Sequence, residues 1–322
     1  MRGRRTRHRP LPTPKATPGD RVDLPLPAAV RRAADDGDGG ELWLTVEAQL
    51  AEPADWAPEG HVIAWGQLRL SAPHRDRSDG TPVAPVAPQA ADGVITLGPG
   101  RFDHATGSLL DLGGLPLQGP HAGPVARSHR QRPRRLVAAR RRLLEGTRPG
   151  PAAPPHGLRH ARHPRSDRRG AQRRLRSPLP AHWSRVEWFG AGPGEAYPDS
   201  RQAVRVGRFH STVDRMQTPY VRPQENGSRT DVRWAAISDG SDTIRIRGEQ
   251  LFHLSARPWS DRHLAAAGHR SELPPGPLVH LHTDHAVQGL GSAACGPGVL
   301  PQHRLELGTA DFTLHLTPVH RP

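Results

Sequence analysis

A single cysteine, Cys295, stands in the whole 322-residue chain. It can form no internal disulfide, which fits a reducing cytoplasm, so a cytoplasmic location is expected. No apolar run approaches the roughly 20 residues that a membrane-crossing helix needs. The N-terminus, MRGRRTRHRPLP, is basic but has no apolar core, and so does not read as a secretory signal. Hydrophobic residues make up only 34% of the chain, whereas proline (36) and glycine (34) are both abundant. That balance argues against a helical protein and for β structure with many turns plus a disordered fraction. The length suffices for two or three domains with real cores.

A second absence is local. Residues 119–178 contain no Phe, Trp, Tyr or Ile. They show no period of 2 or 3.6 that could bury a face. Residues 119–180 hold seventeen arginines and two acids, Glu145 and Asp167, a surplus of +15 in a chain whose net charge is +14. The basicity that would suggest nucleic-acid binding thus belongs to this tract, and the remainder sums to −1. The tract also lacks the interleaved aromatics on which single-strand binders stack bases.

What is present is β-like. Residues 1–18 are Arg/Pro-rich and read as a disordered basic tail. From Gly40, the residues Leu42, Leu44, Val46, Ala48 and Leu50 alternate with polar neighbours, as a half-buried strand does. Trp56 and then His61 to Leu70 supply a second strand, and residues 71–92 read as a Pro/Ala-rich linker. Ile95–Leu97 and Leu109–Leu112 flank a turn around Phe102 to Gly107. Later strands are predicted around Ile244 and Ile246, Val279 and Leu281, and Phe312 to Leu316. One short helix is predicted after Trp259, with Ser260 as N-cap, Leu264 to Ala267 in its body and Gly268 as its stop.

The most informative stretch is Val186 to Trp234. It contains VEWFGAGPGEAYPD and, further on, TPYVRPQENG, with Trp188, Tyr197, Tyr220 and Trp234 set among Gly/Pro turns. Such a mix suits a β domain with elaborate loops. Both motifs closely resemble the C-terminal domain of the long bacterial β-galactosidases of glycoside hydrolase family 2. Gly40 to Val46 (GELWLTV), Trp56 to Gln67 and the Gly289–Gly298 loop agree with the same family in order. The resemblance implies a mostly β chain: an immunoglobulin-like sandwich remnant over 19–70, then a damaged super-sandwich domain over 93–322 with a disordered Arg/Pro-rich insert. On this reading the chain is truncated.

The same resemblance offers an account of the Arg tract. Gly123 to Arg134, GPVARSHRQRPR, can be written in codons that read DLWRAPTDNDR when the first base is dropped. That peptide is close to the one the family carries at this point. Residues from about 119 to 177 are therefore expected to be translated out of frame, with Leu179 back in frame. The tract is also too short for the strands it replaces, so a deletion is expected with the shift.

The resemblance implies hydrolysis of terminal β-D-galactosides with retention, which needs two carboxylates about 5–5.5 Å apart. In the family both are glutamates of a barrel domain that has no counterpart here, so no catalytic residue is assigned and the chain is expected to be inactive alone. Glu187, Glu195, Asp199, Glu225 and Asp231 read as turn, capping or solvated acids. Loops of the last domain shape the family's galactose pocket, which implies substrate-facing positions at Glu225, Asn226 and Gly227, in the loop Pro223 to Ser228. Asn226-Gly227 equally suits a tight turn with positive φ. Well-known members place a sugar-stacking tryptophan where this chain has Cys295, which cannot stack and equally reads as a small loop or core residue.

His280, His282 and His285 have a spacing that could hold zinc, or are simply exposed strand histidines. No metal is assigned, since the family's magnesium and sodium ligands lie mainly in other domains. The expected partner is a galactoside, bound only together with those domains. No specific nucleic acid and no membrane are expected, and oligomerisation is left open. Two alternatives stand beside this reading: a small subunit that completes the active site of a separate large one, and a basic nucleic-acid-binding protein.

Overall fold

The computed structural model describes residues 10–12, 14–35, 40–72, 87–119, 121–122, 172–291, 298–305 and 312–320. Most of the Arg tract, Cys295 and the tail residues before 10 thus lie outside the described residues. The chain divides into two compact units, Met1–Thr81 and Pro82–Pro322. No described helix is long and apolar enough to cross a membrane.

In the first unit a helix, α1 (Ala28–Asp35), precedes an antiparallel pair, β1 (Leu42–Gln49) and β2 (Val62–Ser71). The helix was not expected from the sequence. Register places Leu44 opposite Leu68, Val46 opposite Gly66 and Ala48 opposite Ala64, so the predicted alternation does gather one apolar face. The face is half-buried at Leu42, Leu44 and Leu50 but open at its middle, where Val46 is 42% and Leu68 58% exposed. Among the described residues of this unit the sheet has only these two strands.

The second unit is an antiparallel β-sandwich. Its smaller sheet is the meander β3 (Gln89–Ala91), β4 (Val94–Leu97), β5 (Gly100–Asp103) and β6 (Leu109–Leu112). The expected linker therefore ends early, since Gln89–Ala91 is already strand and pairs with β4. The larger sheet is built from β7 (His121–Ala122), β8 (Gln172–Pro180), β9 (Arg185–Gly192), β10 (Arg205–Thr212), β11 (Arg229–Ser238), β12 (Thr243–Arg257), β13 (Leu278–Val287) and β14 (Leu314–Val319). Its order is β10-β9-β11-β12-β13-β8-β7, with β14 on the first half of β12. The end of the expected disordered tract is corrected here: β8 runs in register with β13 from Val287↔Gln172 to Leu278↔Pro180, so residues 172–178 are strand.

The core lies between the sheets. Val186 and Trp188 of β9, Ile237 of β11, Ile244 and Ile246 of β12 and Leu281 of β13 meet Leu109, Leu112, Leu115 and Leu117. Alternate residues such as Glu187, Arg245 and Arg247 point outward, as period-2 strands require. An apolar cavity of about 190 Å³ remains in the second unit, lined by Leu117, Leu175, Ile246, Leu281, Phe312 and Leu316 among others. The helix predicted after Trp259 is α2 (Asp261–Ala266), and its cap is the one expected: His263 N–H donates to Ser260 Oγ at 3.2 Å.

His253, on β12 opposite Asp284, carries a pH dependence. Burial, then the nearby charges of Arg201 and His285, lower its pKa from 6.5 to about 4. Between those values the unfolded chain binds a proton that the folded one does not, so stability rises with pH across that window. Its contribution is complete above pH 6.5 and is lost as pH falls toward 4, up to about 3 kcal/mol. Urea titrations at pH 7.5 and 4.5 should show this loss, and a His253→Gln variant should show a smaller one.

Candidate functional site

Two loops stand where the sequence placed substrate-facing residues, and both meet the turn that follows β9. That turn, Gly192 to Ser200, begins with a cis Gly192–Pro193 bond and is pinned by Tyr197, which is fully buried. It closes locally by Ser200 N–H donating to Tyr197 O and Tyr197 N–H to Ser200 Oγ, at 3.0 and 3.1 Å. Tyr197 finds no hydrogen-bond partner for its hydroxyl among the described residues, and burial raises its pKa well above the usual phenol value, so it stays neutral.

The first loop is Pro223 to Ser228. Asn226 is buried: its amide donates to Gln224 O at 2.9 Å, and its side-chain oxygen accepts from Thr218 N–H at 3.2 Å. Gly227 has φ +75, and a Cβ there would meet Met216 O at 2.9 Å, so glycine is required on both counts. Its N–H donates to Glu195 Oε2 at 2.8 Å, while Tyr220 Oη donates to Glu195 Oε1. Glu225 points to Arg257, a fully buried guanidinium that also donates to Asp261 Oδ1 at 3.1 Å and to Asn226 O at 3.2 Å. Behind them Arg229 donates to Gly227 O at 3.0 Å and lies 5.2 Å from the Trp188 ring centroid. Burial lowers its pKa to about 10, which leaves it cationic at neutral pH. A small cleft beside this loop is lined by Tyr220, Pro223, Gln224, Asn226 and Trp259.

The second loop begins at Gly289. Leu290 and Gly291 donate their N–H groups to Asp199 Oδ1 and Oδ2 at 2.9 and 2.7 Å. Gly289 N–H donates to His303 O at 2.9 Å. Cys295 itself lies outside the described residues, and so do its immediate neighbours in this loop.

The five acids weighed from the sequence are all engaged. Glu187 pairs with Arg208 on the outer face, Asp231 pairs with Arg201, and Glu225 pairs with Arg257. Glu195 and Asp199 accept backbone N–H groups of the two loops. Three of the five thus take a guanidinium and two take backbone N–H groups. Of the three spaced histidines, His282 is fully buried with Nδ1 3.2 Å from Ser255 Oγ, and His285 packs edge-on against Phe312. Among the described residues, no three His, Cys, Asp or Glu side chains converge to hold a metal.

Sequence reasoning missed Arg257, Arg229 and Gln217, whose amide donates to Val213 O and Ala256 O at 2.6 and 2.7 Å. An arginine closing the largely apolar strand end LFHLSAR, in phase with Ser255, was the available signal for Arg257.

A two-sheet antiparallel sandwich whose end-loops hang on a Gly/Pro-rich turn defines an antiparallel β-sandwich domain. Comparison with known proteins gives the particular family. The family model for the β-galactosidase small chain matches residues 173–316, and that for β-galactosidase domain 4 matches residues 2–71. The β-galactosidase of Arthrobacter sp. (strain B7) is 32% identical over 352 residues, covering 89% of this chain and 34% of that protein. That of Vibrio cholerae is 39% identical over 113 residues, 35% of this chain and 10% of the relative. That of Kluyveromyces lactis is 37% identical over 133 residues, 40% of this chain and 13% of the relative. The chain belongs to the β-galactosidase family of glycoside hydrolases, whose domain-4 and small-chain regions it carries in that order. It spans about a third of the length of the Arthrobacter relative.

Proposed function

We propose that this chain forms the wall of a β-galactoside pocket and does not hydrolyse galactosides by itself. The observation that carries this reading is the order of the matched regions, domain 4 and then small chain, in a chain spanning 34% of the Arthrobacter enzyme. Retaining hydrolysis needs an acid/base and a nucleophile carboxylate held about 5–5.5 Å apart. Glu225 of the first loop is instead bonded to Arg257, and Glu195 and Asp199 of the neighbouring turn to backbone N–H groups. Glu225, Asn226, Gly227 and Cys295 are the substrate-facing positions, by loop position in the family, and their part is to shape the pocket. Conversion of a galactoside then falls to carboxylates supplied by another domain or chain.

The small-chain match supports a second reading, in which the protein completes the site of a separate large subunit. The tract between the matched regions weighs against it. Neither family model takes in residues 72–172, and the Arthrobacter alignment spans 352 positions while taking in only 89% of the 322 residues here, so more than thirty of its positions have no counterpart. Both facts fit an out-of-frame tract accompanied by a deletion.

The test is a chromogenic galactoside assay on the purified chain, alone and co-expressed with the upstream two thirds of a related β-galactosidase. No turnover alone is expected, and turnover by the chain alone would overturn the proposal. Turnover on co-expression would establish the subunit reading, and its absence would leave the chain as an incomplete fragment.

A further inference from the structure

Two segments distant in sequence, Pro223 to Ser228 and Gly289 to Gly291, are held by carboxylates only four residues apart on one turn. Glu195 takes the N–H of Gly227 at 2.8 Å, and Asp199 takes those of Leu290 and Gly291 at 2.9 and 2.7 Å. Two further contacts strengthen the first attachment: Tyr220 Oη donates to Glu195, and Ala196 N–H donates to Ser228 O at 2.9 Å. The closeness of the second is recorded in Gly289, where a Cβ would stand 2.6 Å from Asp199 Oδ2. At Gly291, φ is +64 and a Cβ would meet Val299 N at 2.7 Å. Both glycines are therefore consequences of the backbone being drawn onto the carboxylate and onto itself.

From this geometry we infer that the Gly192–Ser200 turn is the common positioning element of both loops. Glu195 sets the Pro223–Ser228 loop and Asp199 sets the stem of the loop that begins at Gly289. Neither acid touches substrate in this role. A carboxylate suits it because an ionised carboxyl only accepts, offers two oxygens, and forms charge-assisted bonds to N–H groups. The turn is itself rigid, since Tyr197 is buried between the two acids and Trp188 donates from Nε1 to Ala191 O at 3.0 Å at its start. The consequence for a sugar pocket rests on the function proposed above, but the anchoring does not.

The chemistry of the partners separates the two acids. Tyr220 carries a hydroxyl that can accept as well as donate, so Glu195→Gln can keep its oxygen on Gly227 and turn its NH₂ toward Tyr220. Asp199 faces two backbone N–H groups, neither of which can accept. Asp199→Asn must therefore set an NH₂ against one of them and lose that bond. A merely space-filling role would make both amide variants equally mild.

The test is residue-resolved amide exchange on the full chain, with no sugar present. Asp199→Asn should speed exchange at Leu290 or Gly291 by at least about tenfold and leave Gly227 unchanged. Glu195→Ala should do the reverse, and Glu195→Gln should stay close to wild type at Gly227. Denaturant midpoints of all three variants show whether the fold as a whole has survived. Where a variant does not fold, the comparison is made with Asp199→Ser and Glu195→Ser. Equal acceleration at both loops in each variant, or none at either, overturns the inference. Because no galactoside enters the measurement, a failed pocket assay leaves this result standing, and the reverse holds too.

Discussion

Replacing Arg257 with alanine is expected to lower stability by about 3–5 kcal/mol. The guanidinium is fully buried and holds four acceptors: Glu225 and the backbone oxygen of Asn226 in one loop, Asp261 of α2, and Ser255 Oγ on its own strand. Asp261 lies in the first turn of α2 and also stands 3.5 Å from Arg176. Alanine would leave a buried carboxylate on each side without its main counter-charge, and that desolvation cost dominates over the lost bonds. Lysine is not a mild change here, because a point ammonium cannot reproduce the planar fork that reaches these acceptors. Urea unfolding at pH 7.5 measures the loss as a lower midpoint at unchanged slope. A loss below about 1 kcal/mol, the size of an exposed pair, would mean that water reaches the cluster.

The second large effect is at Trp188, where alanine is expected to cost about 3–5 kcal/mol. Trp188 is 1% exposed on the inner face of β9. Its ring packs 5.5 Å from Phe209 on β10, lies under Arg229 and donates its N–H to Ala191 O. Gly192 is also shaped around it, since a Cβ there would meet Trp188 at 3.0 Å and Phe209 at 2.8 Å. Removing the indole leaves a cavity that these neighbours cannot fill, and exposes the inner end of the turn that holds Glu195 and Asp199. Phenylalanine should recover part of the loss. Calorimetric melting of the two variants checks the order, and an alanine variant as stable as the phenylalanine one would show that the indole packs loosely.

The strands of the sandwich were legible because period-2 alternation is a local property. Ile244 with Ile246 and Val279 with Leu281 are buried, as their alternation requires. The capped helix after Trp259 was legible for the same reason, since Ser260 bonds within its own first turn. Alternation in the Leu42–Leu50 region fixed which side chains share a face but not whether anything covers it, because covering is supplied by another layer. Strand β8 was not legible at its start, since Gln172 to Pro178 takes its partners from β13, a hundred residues further on.

For the candidate site, a positive φ at Asn226-Gly227 was one of two readings open from the sequence, and Gly227 carries it. The partners were not foreseeable: Arg257 with Glu225, Glu195 with Gly227 and Asp199 with Leu290 are separated by 32, 32 and 91 residues. No local pattern encodes such pairs.

The sequence by itself determined the family, the β class and the segments that can bury a face, because motifs, turn residues and periodicity are written in neighbouring positions. Only the tertiary structure decided which partners the acids from Glu187 to Asp231 take. A carboxylate looks the same in a sequence whether it meets a substrate, a guanidinium or a backbone N–H, and its partner is chosen by the packing of strands that lie far apart in the chain.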